Sequence, residues 1–263
     1  MNQPARIGNF TSSGIVALLS MGKIEMTPEE LAARPKTGTG SSAKLKEGGL
    51  GEAAKTYIKE CNWERKAGRS MEQEVWSKET AWGKLNEPRV MNILGGDYIR
   101  TGTETALTHP KYDFWKGSPD GQKFNLLLPE KVAEVKCPFT LTSFFTFADC
   151  ENIEDVREKH KSGEMYYWQV VSNACILGLD KAELIIYCPY EDELMEIRQE
   201  AEICPDIDTA KWMERVNPSS LPYLIRGKGY ESIKIFDFVV PQADKDRLTE
   251  RVIECGKLLN NIN

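Results

Sequence analysis

Three side chains stand out for what their spacing permits: Asp120 in Gly117-Ser118-Pro119-Asp120-Gly121, and Glu134 and Lys136 in Ala133-Glu134-Val135-Lys136-Cys137-Pro138. Residues two apart on an extended strand share a face, so Glu134 and Lys136 point one way and Val135 the other. A charged pair bordered by Val132, Ala133 and Val135 is costly to bury unless its face is wet or holds a metal. Asp120, at a turn that leads into the preceding strand, reaches Glu134 across a hairpin. Two carboxylates with a backbone carbonyl make a hard-oxygen set suited to Mg2+ or Mn2+. The Lys136 ammonium beside them has the chemistry to orient or deprotonate a water, or to stabilise charge building on phosphorus.

Other metal chemistry finds little material. The seven cysteines (61, 137, 150, 175, 188, 204, 255) form no CxxC pair, and His109 and His160 are the only histidines. Buried or free thiols are therefore expected rather than a zinc ribbon, an iron–sulfur cluster or a disulfide framework. The 263 residues carry a net charge of −6, unevenly spread. From Arg34 to Arg69 nine basic residues face four acidic ones, a net +5; from Asp149 to Glu202 the balance is −9. Such polarity lets one face attract phosphates while the rest repels them; two ordinary solvated surfaces are the alternative reading of the same charges. No apolar run approaches the ~18–20 residues that a bilayer needs. The start, MNQPARIGNFTSSG, has no basic-then-apolar signal pattern, so a cytoplasmic location without a membrane is expected.

The elements that must position these groups follow from local signals. Thr11, Ser12 and Ser13 precede a short helix over Gly14–Ser20 as its caps, and Thr27-Pro28-Glu29-Glu30 is a capping box opening a helix through Ala33. A basic, flexible insertion is expected over about 34–49, rich in Gly, Ser and Lys. Helical patterns run from about Leu50 to Cys61 and from Met71 to Leu94, the second kinked or restarted at Pro88. Asp120-Gly121 reads as a turn, with strands over Phe124–Leu128 and Val132–Lys136. A helix over Glu164–Leu179, a strand buried on both faces over Ala182–Cys188 and an amphipathic helix over Pro241–Ile262 complete the order. The fold class is α/β (α+β), a central mixed β-sheet flanked by helices. Trp76, Trp82 and Tyr98 are core residues or a base-stacking wedge.

Pro119-Asp120 … Glu134-Val135-Lys136 has the pattern of the PD-(D/E)xK nuclease superfamily. A wider set of blocks resembles the YqaJ-type viral recombinase family, which includes phage lambda exonuclease. Arg6-Ile7-Gly8-Asn9-Phe10-Thr11-Ser12-Ser13 is similar to its R-x-G-x-x-T-x-S stretch, and Gly83-Lys84-Leu85-Asn86-Glu87-Pro88 to its G-x-x-x-E-P helix. Ser118-Pro119-Asp120-Gly121 and Glu134-Val135-Lys136-Cys137-Pro138-Phe139 match its core, and Tyr167-Trp168-Gln169-Val170 resembles its glutamine helix. Five blocks in the right order span roughly residues 6 to 190. The chain departs from the pattern where relatives carry a second glutamine two residues after the first, because Val171 stands there.

The resemblance implies one restriction-endonuclease-like domain over 1–263. Asp120 and Glu134 would ligate the metal, with the Val135 carbonyl completing the shell and Glu87 as a further ligand or the holder of a water. Lys136 would assist the attacking water, and Gln169 would orient Lys136 or the scissile phosphate. Arg6, Ser13 and Thr11 would grip a 5′-phosphate. The implied activity is a 5′-to-3′ exodeoxyribonuclease on linear double-stranded DNA ends, using two Mg2+ ions (Mn2+ as substitute) and releasing 5′-mononucleotides during single-strand annealing recombination. A single-strand annealing protein and further copies of the chain, as a homo-oligomer such as a trimer, are the implied partners, in the bacterial host cytoplasm if phage or prophage encoded. A PD-(D/E)xK endonuclease and a non-catalytic DNA-binding protein are the alternatives. Ser13 as a helix cap, Glu87 as an N-cap acid and Gln169 as a solvated helix residue are the ordinary roles for those positions.

Overall fold

In the computed structural model, which describes residues 6–33, 45–71, 75–101 and 106–260, the chain opens with strand β1 (Phe10–Thr11) and a 3-10 turn over Ile15–Leu19. Strand β2 (Met21–Glu25), helix α1 (Pro28–Ala33), β3 (Leu45–Leu50), α2 (Glu52–Ala67) and α3 (Lys78–Leu94) follow. Then come the short strands β4 (Tyr98–Arg100), β5 (Leu107–His109), β6 (Tyr112–Gly117), β7 (Gly121–Asn125) and the longer β8 (Leu128–Lys136). Helices α4 (Leu141–Ala148), α5 (Ile153–Lys159) and α6 (Gly163–Leu177) lead to β9 (Lys181–Tyr187). Helices α7 (Leu194–Glu202) and α8 (Ile207–Arg215), strand β10 (Ile233–Val239) and helix α9 (Gln242–Gly256) end the described order.

The central sheet runs β10-β9-β8-β7-β4, with β8 and β9 parallel and the other pairs antiparallel. It is the mixed sheet expected from the element order. Alternation along β8 sorts its side chains between two layers. Ala133 and Val135 join Ile185, Tyr187 and the α3 residues Val90 and Met91 on one face. Val132 joins Leu184, Ile186 and the α6 residues Val170 and Ala174 on the other. Glu134 and Lys136 share the second face, beneath α6. A smaller sheet, β1-β6-β5, sets β1 parallel to β6, and β2 and β3 form a separate antiparallel pair.

The capping box forms as read: the Thr27 N–H donates to Glu30 Oε2 at 3.0 Å and the Glu30 N–H donates to Thr27 Oγ1 at 3.3 Å. Several boundaries differ. The hairpin reverses at Leu126, whose φ of +57° is left-handed, so the expected strand over Phe124–Leu128 is split: Phe124 and Asn125 end β7, which starts at Gly121, residues 126 and 127 turn, and Leu128 opens β8. Asp120-Gly121 makes no hairpin because the Asp120 carboxylate ties the chain to β8, accepting the Val135 N–H at 2.7 Å. Helix α3 starts at Lys78 rather than Met71, with the Ser77 hydroxyl accepting the Thr80 N–H, and continues through Pro88 to Leu94. Helix α2 starts after Leu50 because that residue pairs with Met21 in the β2–β3 ladder. Residues 34–44 of the expected insertion lie outside the described residues, and 45–49 are strand rather than loop. Ile262, expected at the end of the last helix, also lies outside them. No helix among the described residues is long and apolar enough to cross a membrane.

Candidate active site

At the end of the central sheet, between α3 and α6, a cleft of about 600 Å³ brings together Glu87, Asp120, Glu134, Lys136 and Gln169. Arg6, Thr11 and Ser13 line the same cleft, so blocks far apart in sequence meet in one place. Topology explains the meeting. Asp120 immediately precedes β7 and is fixed by the Val135 N–H, while Glu134 and Lys136 end β8. Glu87 comes from α3 and Gln169 from α6. For Val135 the contact within the site is made by its N–H; its side chain is buried on the opposite face.

Glu134 is 1% exposed and fully partnered. Lys136 Nζ donates to its Oε1 at 2.7 Å, the Gln169 amide donates to the same oxygen, and Asn173 Nδ2 donates to Oε2 at 3.1 Å. Asn173 escaped the sequence reading, which looked two residues past Gln169 and found Val171. On a helix the neighbour along one face is four residues on. Asn173 is that neighbour, and Val171 is packed in the core. The aromatic ring of Tyr166, one residue before the glutamine block, lies 5.1 Å from Lys136 Nζ.

Burial, with the neighbouring Asp120 charge second, pushes Glu134 up to about 8 and Glu87 up to about 7. Burial raises Asp120 as well, against the pull of Lys136 and the Val135 N–H. For Lys136 burial works toward deprotonation, but Glu134, Asp120 and Glu87 outweigh it and hold the ammonium above its ordinary pKa. Three carboxylates thus strain against one another around an ammonium that stays charged. Among the described residues, no group of three His, Cys, Asp or Glu side chains is placed, as it stands, to hold a metal ion among all three. The set suits a different sort of ion site, with a few hard carboxylate oxygens, open space for water and surplus negative charge. No hydrogen bond engages the Glu87 carboxylate or Asp120 Oδ1 among the described residues, whereas Glu134 is turned toward its amide and ammonium donors.

Other residues lining the same cleft have the opposite character. Arg6 Nε and Ser118 Oγ are buried there without a hydrogen-bond partner among the described residues. Thr11 Oγ1 lies 3.2 Å from Ser13 Oγ and 3.2 Å from the Tyr57 hydroxyl of α2, which also accepts the Thr11 N–H at 2.8 Å. Gly14 takes the N-cap position of the following turn, with no side-chain cap, so Ser13 is a wall of the cleft rather than a helix cap. Ser12 points away, to Ser172 Oγ at 2.8 Å. Donors without partners and paired hydroxyls in one cleft are groups with the chemistry to bind an anion. Ser118 stands in the Ser-Pro-Asp-Gly block, where nothing in the sequence singles it out from its neighbours.

The candidate wedge residues lie elsewhere. Trp82 is fully buried against Phe139, Trp76 packs on Trp212, and Tyr98 donates to Glu183 at 2.6 Å. Acidic residues of the 149–202 stretch are drawn inward by Arg89, which is hydrogen-bonded to Glu193, Glu196 and Glu200.

No protein-family model matches the sequence, and neither does any curated protein. Solved structures do. An alkaline exonuclease (LHK-Exo) from Laribacter hongkongensis superposes with a TM-score of 0.55 at 16% identity, over 97% of this chain and 90% of that one. The same exonuclease in complex with dAMP gives the same values. A phage-related exonuclease from Haemophilus somnus 129PT gives 0.53 at 15% identity, over 95% and 92%. The likeness is one of fold, a mixed α/β architecture of the restriction-endonuclease-like type.

Proposed function

We propose that this chain is a divalent-metal-dependent deoxyribonuclease that digests one strand of linear double-stranded DNA from its 5′ end. The observation that carries the reading is one cleft with two chemistries: the carboxylates and Lys136, and with them the Arg6 Nε and Ser118 Oγ donors that lack partners among the described residues and the Thr11–Ser13 hydroxyls. A terminal 5′-phosphate suits the second group and a scissile phosphodiester the first. The fold likeness to two exonucleases supports the choice of reaction, and dAMP, held by one of them, belongs to the 5′-mononucleotide class that the reaction would release.

Asp120, Glu87 and Glu134 would hold Mg2+ or Mn2+, in one or two sites. When bound, the ion supplies Lewis-acid activation of water and of the phosphate. Lys136, kept as an ammonium by its carboxylate neighbours, donates toward a phosphoryl oxygen and stabilises the charge that builds there. Gln169 and Asn173 grip both oxygens of Glu134 and so fix where that carboxylate points. Arg6 and Ser118 donate to the 5′-phosphate, with Thr11 held in place by Tyr57 and Ser13 in turn paired with the Thr11 hydroxyl. A single-strand annealing protein as partner, a homo-oligomer, and a phage or prophage setting in a bacterial cytoplasm belong to the same reading.

The test is digestion of linear duplex labelled separately at each 5′ and 3′ end, beside a closed circular duplex, in Mg2+. The 5′ label should leave first as mononucleotide while the circle survives. A cut circle favours the endonuclease alternative, and no hydrolysis in any form removes the reading. Dephosphorylated 5′ ends should be digested more slowly. Equal rates would discard the assignment of Arg6, Thr11 and Ser13 alone.

A further inference from the structure

The basic stretch that stood out in the sequence is not used by the catalytic cleft. Its described part is largely helix α2, where Lys55, Lys59, Trp63 and Lys66 fall at spacings of four, four and three residues and therefore on one stripe. All four are exposed. Tyr57, which supports Thr11, lies about 200° around the helix from Lys55, so α2 has one side for the cleft and another for this stripe. Beside the stripe is a groove of about 320 Å³, floored by Leu50, Ile58 and Leu258, and it shares no lining residue with the catalytic cleft. Asn62 closes its far wall, donating to the Leu258 carbonyl at 3.0 Å and accepting the Asn260 N–H at 2.7 Å.

We infer that this α2 surface is a second binding site, for single-stranded DNA. Charge identifies a polyanion: a protein of net charge −6 repels one overall, yet three lysines are concentrated here, of which Lys55 would exchange an exposed ion pair with Glu52, at 2.8 Å, for a phosphate. Successive lysine and tryptophan positions rise by about 6 Å along the helix axis, comparable to one step of an extended nucleotide chain. The aromatic group identifies unpaired bases. Trp63 is 44% exposed, with Lys59 Nζ 4.7 Å from its ring centroid, and an indole face open to solvent can stack only on a base free of its partner. Lysines over phosphates beside an aromatic platform and an apolar recess form a single-strand site without sequence preference. The choice of DNA as the polyanion rests on the nuclease reading, whose reaction leaves one strand unpaired.

The experiment measures binding of a fluorescent fifteen-residue oligothymidylate to the full chain in EDTA, across a salt series. Charge reversal at the three exposed positions, Lys55→Glu with Lys59→Glu and Lys66→Glu, should weaken binding. It should also flatten the slope of log affinity against log salt by about two, three phosphate contacts at roughly 0.7 each. Trp63→Ala should weaken binding between fivefold and a hundredfold, the loss of one stacked base at about 1–3 kcal/mol, and Trp63→Phe should restore most of it. Thermal unfolding verifies that each variant folds, and the lysine set keeps the test valid if Trp63→Ala does not. Wild-type affinity and slope in the lysine variant would overturn the proposal. So would tighter binding of polyglutamate than of oligothymidylate by the wild type, which would make the surface a site for acidic protein. Failure of the wild type to hydrolyse duplex DNA would sink the nuclease reading and leave this measurement standing.

Discussion

Glu134 on β8 and Glu183 on β9 are each 1% exposed, on neighbouring parallel strands of one sheet. They face opposite ways, since Glu183 is the register partner of Ala133. Around Glu183 the charges close. Lys131 and Lys123 donate to Oε1 at 2.9 and 3.3 Å, Tyr98 donates to Oε2 at 2.6 Å, and Lys131 is shared with Asp237. Two carboxylates there meet two ammonium groups. Around Glu134 the charges do not close, because Glu87 and Asp120 crowd a carboxylate that has Lys136 as its ion-pair partner. Burial of a glutamate is common to both and marks neither as functional. Surplus charge distinguishes them, and it is found in the cleft, where a cation and a phosphate have room.

The comparison breaks most visibly through the two lysines. Lys136→Ala should cut the hydrolysis rate by roughly 10³-fold, the scale for removing a preorganised charge donor, while leaving DNA binding measurable. Lys131→Met should leave the rate within about twofold but cost about 3 kcal/mol of stability, at the low end for a broken buried pair because Lys123 and Tyr98 remain. That is a fall in Tm of roughly 6–12 °C for a chain of this size. Rate assays beside thermal melts decide. An active Lys136→Ala protein, or a Lys131→Met protein that melts normally and is inactive, would reverse the assignment of the two sites.

Neutralising a carboxylate sharpens the contrast by sign. Asp120→Asn keeps an oxygen for the Val135 N–H and removes one of three crowded charges, so the metal-free protein should gain about 2 kcal/mol and lose its activity. Glu183→Gln strips the partner from two lysines and should lower Tm. Shifts of the same sign in both melts would mean that surplus charge is not what separates these glutamates.

How far the sequence carries this distinction depends on the kind of pattern involved. Glu134 and Lys136 were legible because a period of two on a strand fixes their shared face, and β9 because a near-continuous apolar run must be covered on both sides. Asp120, Glu87, Gln169, Arg6, Thr11 and Ser13 became legible through five ordered blocks, and the cleft brings all of them together. Asn173 was hidden by counting two residues along a helix whose face repeats at four. Leu126 was hidden because turn chemistry favours Asp-Gly, whereas the Asp120 hydrogen bond to β8 overrides that preference and moves the reversal to a leucine. The Glu183 network was invisible because its members come from β4, β7, β8, β9 and β10, and only strand register makes them neighbours.

The smallest effect is also the most direct reading of surplus charge. Glu87 at about 7 and Glu134 at about 8 stand well above the ~4.3 of an unfolded glutamate. A folded pKa raised in this way favours the protonated site, so its stabilisation is fully present below about pH 4 and is lost as the pH rises through 7 and 8. On the proposed function, a divalent cation would take the place of those protons, and its benefit would grow over the same window, by up to roughly tenfold in apparent affinity per pH unit for each proton displaced. One such factor is about 1.4 kcal/mol of added stability under saturating ion. The Tm increment from Mn2+ should therefore be larger at pH 8 than at pH 6 by a few degrees. Asp120→Asn should erase most of that difference, and Glu183→Gln should leave it intact, because Glu183 does not line the cleft. Equal increments at both pH values in the wild type would show that ion binding releases no protons from the cleft, and the surplus-charge account of Glu134 would fall.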